Sequence, residues 1–386
     1  MSGSTGRLLA LIRSLGETTR AELAATSGLA RSTIATQLGQ LLADQLITEG
    51  GTAQSTGGRP ATLIRFNEHA GVTLAADLGA THGRLAVCDL SATPLITEAY
   101  EMDIGAGPEA VLDHLESTWS RLLDEVDKTP NDVRAVGVGV PGPVEFAAGR
   151  AVNPPIMPGW DGYAAGADLA GRYGVPAFVD NDVNIMAIGE RSAMIDPPDD
   201  MVFVKVGTGI GSGLIMGGAI HRGATGTAGD IGHVQIASDE AQCRCGNLGC
   251  LEATAGGAAL ARGLAAAGLD AHDARDVVRL VRSGEHVAIH AVRRAGRVIG
   301  EALASIVNLL NPTLIVVGGD MAGAGEQLLA GIREVIYQRS TALATHVLEI
   351  RPSKLGDHAG VIGAAMMALD RILDPAAVDA ALERSG

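Results

Sequence analysis

Two glycine-rich segments, each set between apolar runs, limit the folds open to this chain more than any other feature. The first is DLGAT at 77–81 within a strand-like stretch over 72–89, and the second is GTGIGSG at 207–213 within 201–216. Each stretch predicts two strands joined by a Gly/Thr tip, where glycine lets backbone N–H groups approach an anion closely. One hairpin of this kind would be an ordinary turn. Two in corresponding places predict two α/β lobes that can grip a polyphosphate between them.

The pattern of predicted secondary structure changes near residue 70. Before this point, apolar residues at helical spacing predict three short helices, and Gly28 lies at the turn between the second and third, as in a helix-turn-helix. Residues 46–49 and 61–66 then predict two short strands joined by a tip that ends in GGRP at 57–60. These elements together predict a winged helix.

The third helix of this unit carries the residues expected to contact DNA. Four polar residues at its exposed N-terminal side can reach base edges, and an arginine on the wing can reach phosphates or a minor groove. These residues are Arg31, Ser32, Thr33 and Thr36 on the helix and Arg59 on the wing. The alternative is a three-helix bundle that serves as a dimerisation cap. The helix-turn-helix spacing and the arginine-tipped hairpin occur together, which favours DNA binding.

Charge is divided unevenly between the two parts of the chain. The whole chain has 44 acidic and 29 basic residues and a formal charge of −15, which taken alone argues against a nucleic-acid partner. Residues 1–70 have six basic and five acidic side chains, a net charge of +1, so the other 316 residues carry −16. The N-terminal part can therefore present a few arginines to a duplex that the rest of the chain repels. Lysine occurs only at Lys128, Lys205 and Lys354, a scarcity that indicates genomic base composition rather than function.

Three of the four cysteines lie close together in the sequence, after a histidine. His233, Cys243, Cys245 and Cys250 form an H-x9-C-x-C-x4-C pattern. Three thiolates and one imidazole complete a tetrahedral shell for Zn²⁺, and four protein ligands leave no position for water. The pattern therefore predicts a structural zinc ion. The alternative is a group of reduced, buried thiols beside an unrelated histidine.

Apolar runs in this sequence are too short for a membrane span. No run of about 18 apolar residues is present, and charged residues interrupt the apolar stretches of the first 30 residues. We therefore expect neither a membrane span nor a signal peptide. Clustered cysteines that suit a metal site are typical of the reducing cytoplasm, where we expect this protein to be found.

The central sequence resembles that of a known family. VFVKVGTGIGSGLIMGGAIHRGATGTAGDIGH at 202–233, followed by CRCGNLGCLE at 243–252, is similar to the signature of the ROK family of repressors and sugar kinases. With the winged helix attached, the resemblance is to the transcriptional-regulator branch, and it covers essentially the whole chain. It implies an α/β protein with a winged helix-turn-helix before a two-lobed, actin-like (ribonuclease H-like) sugar-kinase fold. It also implies a sugar site in the interlobe cleft and a homodimer or homotetramer.

We divide the chain accordingly into three parts. Residues 1–70 are the winged helix-turn-helix DNA-binding domain, 71–185 the N-terminal lobe and 186–386 the C-terminal lobe. The C-terminal lobe contains the zinc-binding loop at 233–250 and a final helix that returns to the first lobe.

Polar residues gather where a predicted strand meets a helix. The segment VPAFVDNDVN at 175–184 ends an apolar strand, the usual ligand-binding edge of an α/β sheet. In the resemblance, Asn181 corresponds to a ligand of sugar hydroxyls, and Asp182 to the catalytic base that accepts a proton from the attacking hydroxyl in the kinases. The alternative is simple helix capping by Asp180 and Asn181.

Further sugar contacts are implied near the zinc ligands. Glu252 corresponds to a second sugar contact, while Asp230 stands where the family usually has glutamate, which shortens its reach by one methylene. The implied sugar site consists of Asn181, Asp182, Asp230, His233 and Glu252.

A nucleotide site is implied if kinase function is retained. In the resemblance, Asp77 holds a Mg²⁺ ion through water, and the Gly/Thr tips bind the phosphates of ATP. The residues concerned are Asp77, Gly79, Thr81, Gly207, Thr208, Gly209, Gly318 and Gly319. Kinases more often show DGGTK where this chain has DLGATH, so Ala80 replaces a glycine and His82 replaces a lysine. These two replacements argue against tight ATP binding.

Two further segments resemble family loops. Trp160 belongs to one that closes over the sugar, where the indole either stacks on a sugar face or fills the interlobe hinge. Residues 311–319 resemble the adenosine-side loop, and a helix is expected to begin near Ala322.

The function predicted from these features is a sugar-responsive transcriptional regulator, more specifically a repressor. Its partners would be operator DNA and a monosaccharide or sugar phosphate, with no membrane partner. One alternative is an ATP-dependent sugar kinase with Asp182 as base, which can act beside regulation. Another is a DNA-tethering scaffold with a vestigial cleft.

Overall fold

A computed structural model of the chain describes residues 4–52, 61–236 and 240–385. In these ranges an N-terminal helical unit with a small sheet precedes two lobes, each built around a five-stranded sheet. The predicted α/β class and the two lobes are confirmed. None of the helices in these ranges is long and apolar enough to cross a membrane.

The N-terminal unit is a three-helix bundle with a three-stranded sheet in the order β1-β3-β2. Its elements are α1 (Thr5–Leu15), β1 (Glu17–Thr19), α2 (Arg20–Ser27), α3 (Arg31–Ala43), β2 (Ile47–Thr52) and β3 (Thr62–Phe66). Gly28 ends α2 in the left-handed conformation at φ 70°, which is why the helix-turn-helix turn contains a glycine. The sequence predicted two strands here. The additional strand β1 was not predicted because its three residues are too few to show an alternation of apolar and polar side chains.

The first lobe follows directly. Its elements are β4 (Val72–Leu78), β5 (His82–Cys88), β6 (Pro94–Glu101), α4 (Pro108–Glu125), β7 (Val133–Val140), β8 (Val144–Glu145), β9 (Arg150–Ala151), α5 (Ala165–Tyr173) and β10 (Ala177–Asn181). The large sheet has the order β10-β7-β4-β5-β6. Its central strand β4 pairs antiparallel with β5 and parallel with β7.

The second lobe repeats this topology. Its elements, with the helices that flank them, are α6 (Asp182–Ser192), β11 (Met201–Val206), β12 (Ile210–Met216), β13 (Ala219–Ile220), α7 (Leu251–Ala255), α8 (Gly257–Ala266), α9 (Ala274–Arg282), α10 (His286–Leu310), β14 (Leu314–Gly318), α11 (Glu326–Arg339), α12 (Ala342–Thr345), β15 (Glu349–Pro352), α13 (Ala359–Ile372) and α14 (Pro375–Ser385). The sheet order β13-β12-β11-β14-β15 again has an antiparallel pair on one side of the first strand and parallel strands on the other. The two predicted hairpins therefore occupy equivalent places.

Helices α6 and α13 pack against each other between the two sheets, with α13 lying on β4 and β7 and α6 on β11 and β12. Two glycines permit this close packing. A Cβ at Gly189 would lie 2.0 Å from the carbonyl oxygen of Ala359, and one at Gly363 would lie 1.7 Å from that of Ile185. Since neither backbone can give way, glycine is required at both positions.

The N-terminal unit is joined to the lobes by a shared core. Helix α14 packs on α1, and one apolar cluster runs from Leu9 and Leu38 in the winged helix through Val378 in α14 to Val361 in α13 and Ile185 in α6. The cluster therefore makes a continuous apolar contact between the winged helix and helices α14, α13 and α6.

Two predicted details are wrong. The second Gly/Thr tip is shorter than expected, because β12 already begins at Ile210 and only Gly207–Gly209 forms the turn. The helix expected near Ala322 is a 3-10 turn over Asp320–Ala324, and α11 begins at Glu326. Gly325, at φ 62°, separates the two because left-handed backbone cannot continue a helix.

Candidate functional site

A cavity of about 370 Å³ opens between the two lobes, a volume in the range of small-molecule sites. Its wall includes Asn181 and Asp182 at the start of α6, together with Asp230, His233 and Glu252 from the second lobe. The structure thus brings all five residues of the implied sugar site to one cavity.

Asn181 and Asp182 have both structural and cavity-facing roles. The side-chain oxygen of Asn181 accepts a hydrogen bond from the N–H of Val183 at 3.0 Å, and its amide donates to the carbonyl of Gly142 at 3.0 Å. Helix capping, offered above as an alternative, is therefore present alongside the cavity position. Asp182, which also lines the cavity, accepts from the same Val183 N–H through Oδ1, at 2.8 Å.

Asp180 supports this turn through hydrogen bonds to Asn181 and Asn184. The residue is 1% exposed, and its Oδ1 accepts hydrogen bonds from the N–H of Asn181 at 2.8 Å and from the amide of Asn184 at 2.9 Å. Its Oδ2 accepts from Arg222, which follows β13 of the second lobe, at 2.7 Å. The Arg222 guanidinium also stacks on the Phe146 ring, 3.7 Å from its centroid. This pair ties the second lobe to the first beside the cavity.

Lys205 is a site residue that sequence reasoning missed. At the end of β11, its Nζ donates a hydrogen bond of 2.5 Å to Oδ2 of Asp182. Its burial would lower its pKa, yet the carboxylates of Asp182 and Asp77 raise that pKa above the usual value. We attributed the scarcity of lysine to base composition, and the available signal was the position of Lys205 two residues before the GTG tip.

Asp77 lies at the end of β4 and does not line the cavity. Removal from solvent raises its pKa to about 6, although Lys205 opposes this shift. Its Oδ1 has no hydrogen-bond partner in the described parts of the chain. A Cβ at Gly360 would lie 1.9 Å from its Oδ2, so α13 packs directly on this carboxylate.

Only some residues of the implied nucleotide site line the cavity. Gly79, Thr208 and Gly209 line the cavity, whereas Asp77, Thr81, Gly207, Gly318 and Gly319 lie outside its wall. Gly318 has a packing explanation, because a Cβ there would lie 2.4 Å from the Phe203 ring. His82 faces Asp320 at 3.9 Å, and desolvation lowers its pKa, so neutral imidazole stands where kinases more often have lysine.

The cysteine cluster assembles beside the cavity. The ligand atoms of His233, Cys243, Cys245 and Cys250 all lie within 4.8 Å of one another. Cys243 Sγ lies 3.6 Å from His233 Nδ1, and Cys245 Sγ lies 3.6 Å from Cys250 Sγ. Tetrahedral Zn²⁺ with ordinary bond lengths places neighbouring ligand atoms about 3.5–3.8 Å apart. These four residues therefore fit a tetrahedral metal ion.

Glu252 connects this cluster to the cavity. Its Oε1 accepts from Cys243 Sγ at 3.4 Å, and its Oε2 faces the second Gly/Thr tip, where a Cβ at Gly209 would come within 2.5 Å. The position of the Glu252 carboxylate in the cavity wall therefore depends on the arrangement of the cysteine cluster.

Trp160 does not line the cavity. It is 1% exposed in the core of the first lobe, where Nε1 donates to the carbonyl of Ile104 at 3.1 Å. Trp160 is therefore neither a sugar contact nor part of an interlobe hinge. An indole whose N–H is hydrogen-bonded inside one lobe is a core residue.

The expected DNA-contacting residues share the exposed side of α3. Arg31, Ser32, Thr33 and Thr36 are all exposed, while Ile34 and Leu38 on the opposite face are buried. Arg31 has no ion pair within the described ranges, whereas Arg20 and Arg65 pair with Glu49 and Glu17. Arg59 lies outside the described residues.

Fold and site together define a class, the two-lobed α/β proteins of actin-like architecture with an interlobe ligand cavity and an attached winged helix. The family model described as "ROK family" matches residues 73–371. The chain belongs to the ROK family, a family that includes both repressors and sugar kinases.

Similar proteins of both kinds are known. The putative xylose repressor of Caldicellulosiruptor sp. (strain Rt8B.4) is 28% identical over 368 residues, which cover 92% of each chain. The structure of a ROK family transcriptional regulator, a homolog of the E. coli MLC protein, is 25% identical, with a TM-score of 0.82 and 98% of each chain covered. A ROK family glucokinase from Streptomyces griseus, in complex with glucose and AMPPNP, is 28% identical, with a TM-score of 0.67, and covers 77% of this chain and 99% of its own.

Proposed function

We propose that this protein is a sugar-responsive transcriptional repressor whose winged helix binds operator DNA and whose interlobe cavity binds the effector. The observation that carries this proposal is the continuous core from the start of α6, at the cavity, through α13 and α14 to the winged helix. Relatives named as a repressor and as a transcriptional regulator cover 92% and 98% of this chain, whereas the glucokinase covers 77% of it.

The effector class follows from the cavity wall. Carboxylate and amide groups of Asn181, Asp182, Asp230 and Glu252 converge on a space of about 370 Å³. Several acceptors and one amide donor suit the hydroxyl groups of a monosaccharide or sugar phosphate. We assign Asp182 a binding role here.

Effector binding would act through the two lobes. The cavity wall combines Gly79 and Asn181 of the first lobe with Asp230 and Glu252 of the second, so a ligand that contacts both sides changes their relative position. We infer that α13 and α14 transmit this change to the winged helices of a dimer or tetramer, whose spacing then no longer matches operator half-sites one helical turn apart.

DNA binding is assigned to residues 1–70. Arg31, Ser32, Thr33 and Thr36 would face base edges, and Arg59 on the wing would face the phosphates or a minor groove. The near-neutral charge of this part means that phosphate attraction is modest, so specific binding depends on two winged helices acting together.

The metal cluster is assigned to structural Zn²⁺. His233, Cys243, Cys245 and Cys250 would hold the ion and so fix the loop that carries Glu252. With four protein ligands, the ion would supply no open position for chemistry.

Sugar phosphorylation is the second candidate, favoured by one observation. Asp182 lies at the cavity with Gly79, Thr208 and Gly209, a set in which Asp182 would accept the hydroxyl proton and the tips would hold ATP with Mg²⁺ near Asp77. The exclusion of Asp77 from the cavity wall and the ion pair between Asp182 and Lys205 count against it.

Selection of bound duplexes from a random-sequence library tests the proposal. Recovered DNA should bind the wild-type protein and be released by at least one member of a panel that contains xylose, other monosaccharides and their phosphates. Arg31→Ala should lose operator affinity by roughly 10–100-fold, as expected for one base contact. Arg294→Ala, at an exposed arginine on α10, should not.

Binding that no sugar alters would contradict the effector role. Transfer of labelled phosphate from ATP to a sugar, abolished in Asp182→Ala, would instead establish the kinase.

A further inference from the structure

Phe146, in the 3-10 turn after β8 of the first lobe, contacts two arginines from different parts of the fold. The guanidinium carbon of Arg222, which follows β13 of the second lobe, lies 3.7 Å from the centroid of the ring. The guanidinium carbon of Arg371, in the last turn of α13, lies 4.9 Å from the same centroid. A guanidinium over an aromatic ring is attracted by the negative face of that ring. Phe146 therefore joins the second lobe to α13.

Arg222 begins a loop, residues 222–230, that forms part of the effector cavity. The loop is closed by a hydrogen bond of 3.1 Å from the N–H of Ala228 to the carbonyl of Arg222. A ligand that contacts the end of the loop therefore acts on the same short segment that positions the Arg222 guanidinium. The residues of the loop in the cavity wall are Gly226, Thr227, Ala228, Gly229 and Asp230.

The same loop fits tightly against the first lobe beside Phe146. A Cβ at Gly226 would lie 2.0 Å from the carbonyl oxygen of Val144, so the two backbones approach closely two residues before Phe146. Arg222 also pairs with the buried Asp180 at 2.7 Å, which holds the guanidinium in place over the ring. Because this packing is close, movement of the loop changes the contact between Arg222 and Phe146.

Phe146 is also in contact with the core that supports the winged helix. It packs against the apolar cluster that contains Leu9 of α1 and Val361 of α13. Leu373, two residues after Arg371, is a buried member of the same cluster. The contacts of Phe146 thus connect the 222–230 loop with the helix and the core that the winged helix packs on.

We propose that Phe146 transmits occupancy of the cavity to the winged helix, through its contacts with Arg222 of the 222–230 loop and Arg371 of α13. The inference rests on the proposed repressor function and deepens it, because it names the residue at which the effector signal passes from the cavity to α13. Phe146 does not line the cavity. Its role is to couple two binding sites, and its loss leaves binding at each of them intact.

The coupling is measured as the ratio of operator affinities without and with a releasing sugar, tested first with xylose and then with the other members of the panel above. Phe146→Leu keeps an apolar side chain but removes the ring face. It should bind the selected duplex and the sugar within about threefold of wild type, whereas the ratio should fall by at least about threefold, the effect of losing one partly exposed cation–π contact. Phe146→Tyr, which keeps the ring, should retain the ratio.

Phe178→Leu is the matched control. Phe178 is partly buried and packs against the same apolar cluster as Phe146, but no arginine lies over its ring in the described ranges. This variant should leave the ratio unchanged. Arg371→Met should lower the ratio, and the double variant Phe146→Leu/Arg371→Met should lower it no further than Phe146→Leu alone, because both changes break the same connection.

Hydrogen exchange gives a second readout that needs no sugar. Because coupling between two sites is reciprocal, binding of the selected duplex to the full-length protein should change amide exchange in residues 222–230. The change should persist in Phe178→Leu and disappear in Phe146→Leu.

Three outcomes would overturn the inference. They are an unchanged ratio in both Phe146→Leu and Arg371→Met, an equal loss in Phe178→Leu, and an exchange response in residues 222–230 that survives Phe146→Leu. Should Phe146→Leu fail to fold, Arg371→Met decides, because Arg371 is exposed. Operator binding that no sugar alters would contradict the proposed function, whereas normal release by the Phe146→Leu protein would contradict this inference alone.

Discussion

The carboxylate of Asp379, in the last helix, accepts a hydrogen bond of 2.8 Å from the backbone N–H of Gly6, in the first helix. The two residues are separated by 373 positions in the sequence. Their contact joins α14 to α1 and so connects the end of the second lobe to the DNA-binding unit.

Gly6 can be tested directly because a side chain has no room there. A Cβ at Gly6 would lie 2.1 Å from the carbonyl oxygen of Pro375, and backbone atoms on both sides would have to move. Gly6→Ala should lower the free energy of unfolding by about 1–3 kcal/mol, as overpacking does, and should speed amide hydrogen exchange in α1.

Gly39, in the interior of α3, provides the matched control. Beyond its chain neighbours and the backbone of its own helix, no atom lies within 4 Å of a Cβ built there, so Gly39→Ala should stabilise the protein by about 0.5–1 kcal/mol through helix propensity. Equal stabilisation by both substitutions in denaturant titrations would show that α14 does not constrain α1.

Loss of one metal ligand should disturb both stability and sugar response. Cys245 is exposed, so Cys245→Ser costs no packing, and its effects report on the metal. We expect bound zinc to fall from one ion per chain, the melting temperature to drop, and sugar-induced operator release to weaken because Glu252 contacts Cys243. Cys88→Ala, at the buried cysteine remote from the cluster, should retain zinc by elemental analysis. A stable, normally responsive Cys245→Ser protein would show that the cluster does not organise the cavity.

Zinc retention should also depend on pH. Burial raises the pKa of Cys243 to about 12, so this thiol is protonated at neutral pH without a cation, and protons compete with the metal. Removal of zinc by a chelator should therefore become faster as the pH falls from 8 to 6, measured with a colorimetric zinc indicator.

Asp77 should destabilise the fold at neutral pH. Removal from solvent raises its pKa from the ordinary 3.8 to about 6. The folded protein thus holds a proton that the unfolded chain has released, and stability from this group is lost as the pH rises from about 4 through 6.

Asp77→Asn removes this penalty. The shift corresponds to about 3 kcal/mol, so the variant should be more stable than wild type by up to that amount at pH 7.5 and equal to it near pH 3.5. Asp124→Asn, at an exposed carboxylate of α4, should change stability by less than about 0.5 kcal/mol at either pH. A difference between Asp77→Asn and wild type that does not vary with pH would contradict the shift.

The pair between Arg222 and Asp180 should contribute much more than a surface ion pair. Asp180 is 1% exposed, and Arg222→Met leaves this buried carboxylate without its cationic partner, at an expected cost of roughly 3–5 kcal/mol. Arg150→Met breaks an exposed pair with Glu145 and should cost less than about 1 kcal/mol. The double variant Arg222→Met/Asp180→Asn should be more stable than Arg222→Met alone in denaturant titrations, and the opposite order would contradict a charge-based explanation.

Local features of the molecule could be predicted from the sequence. Gly28 marked the helix-turn-helix because a left-handed turn needs glycine, and the two Gly/Thr tips marked equivalent hairpins because strand period and turn residues are local properties. The four metal-cluster residues lie within 18 positions, so a short loop suffices to bring them together.

Contacts between residues far apart in the sequence were decided only by the tertiary structure. Lys205 was dismissed as compositional and lies against Asp182, while Trp160, proposed for a sugar or a hinge, lies in a core. Asp180 meets Arg222 over 42 positions and Gly6 meets Asp379 over 373. Sequence period fixes which residues share one face of a helix or strand, but it carries no information on which distant face packs against it. That pairing depends on how the two sheets close around α6 and α13, where the steric limits at Gly189 and Gly363 set the distance between them.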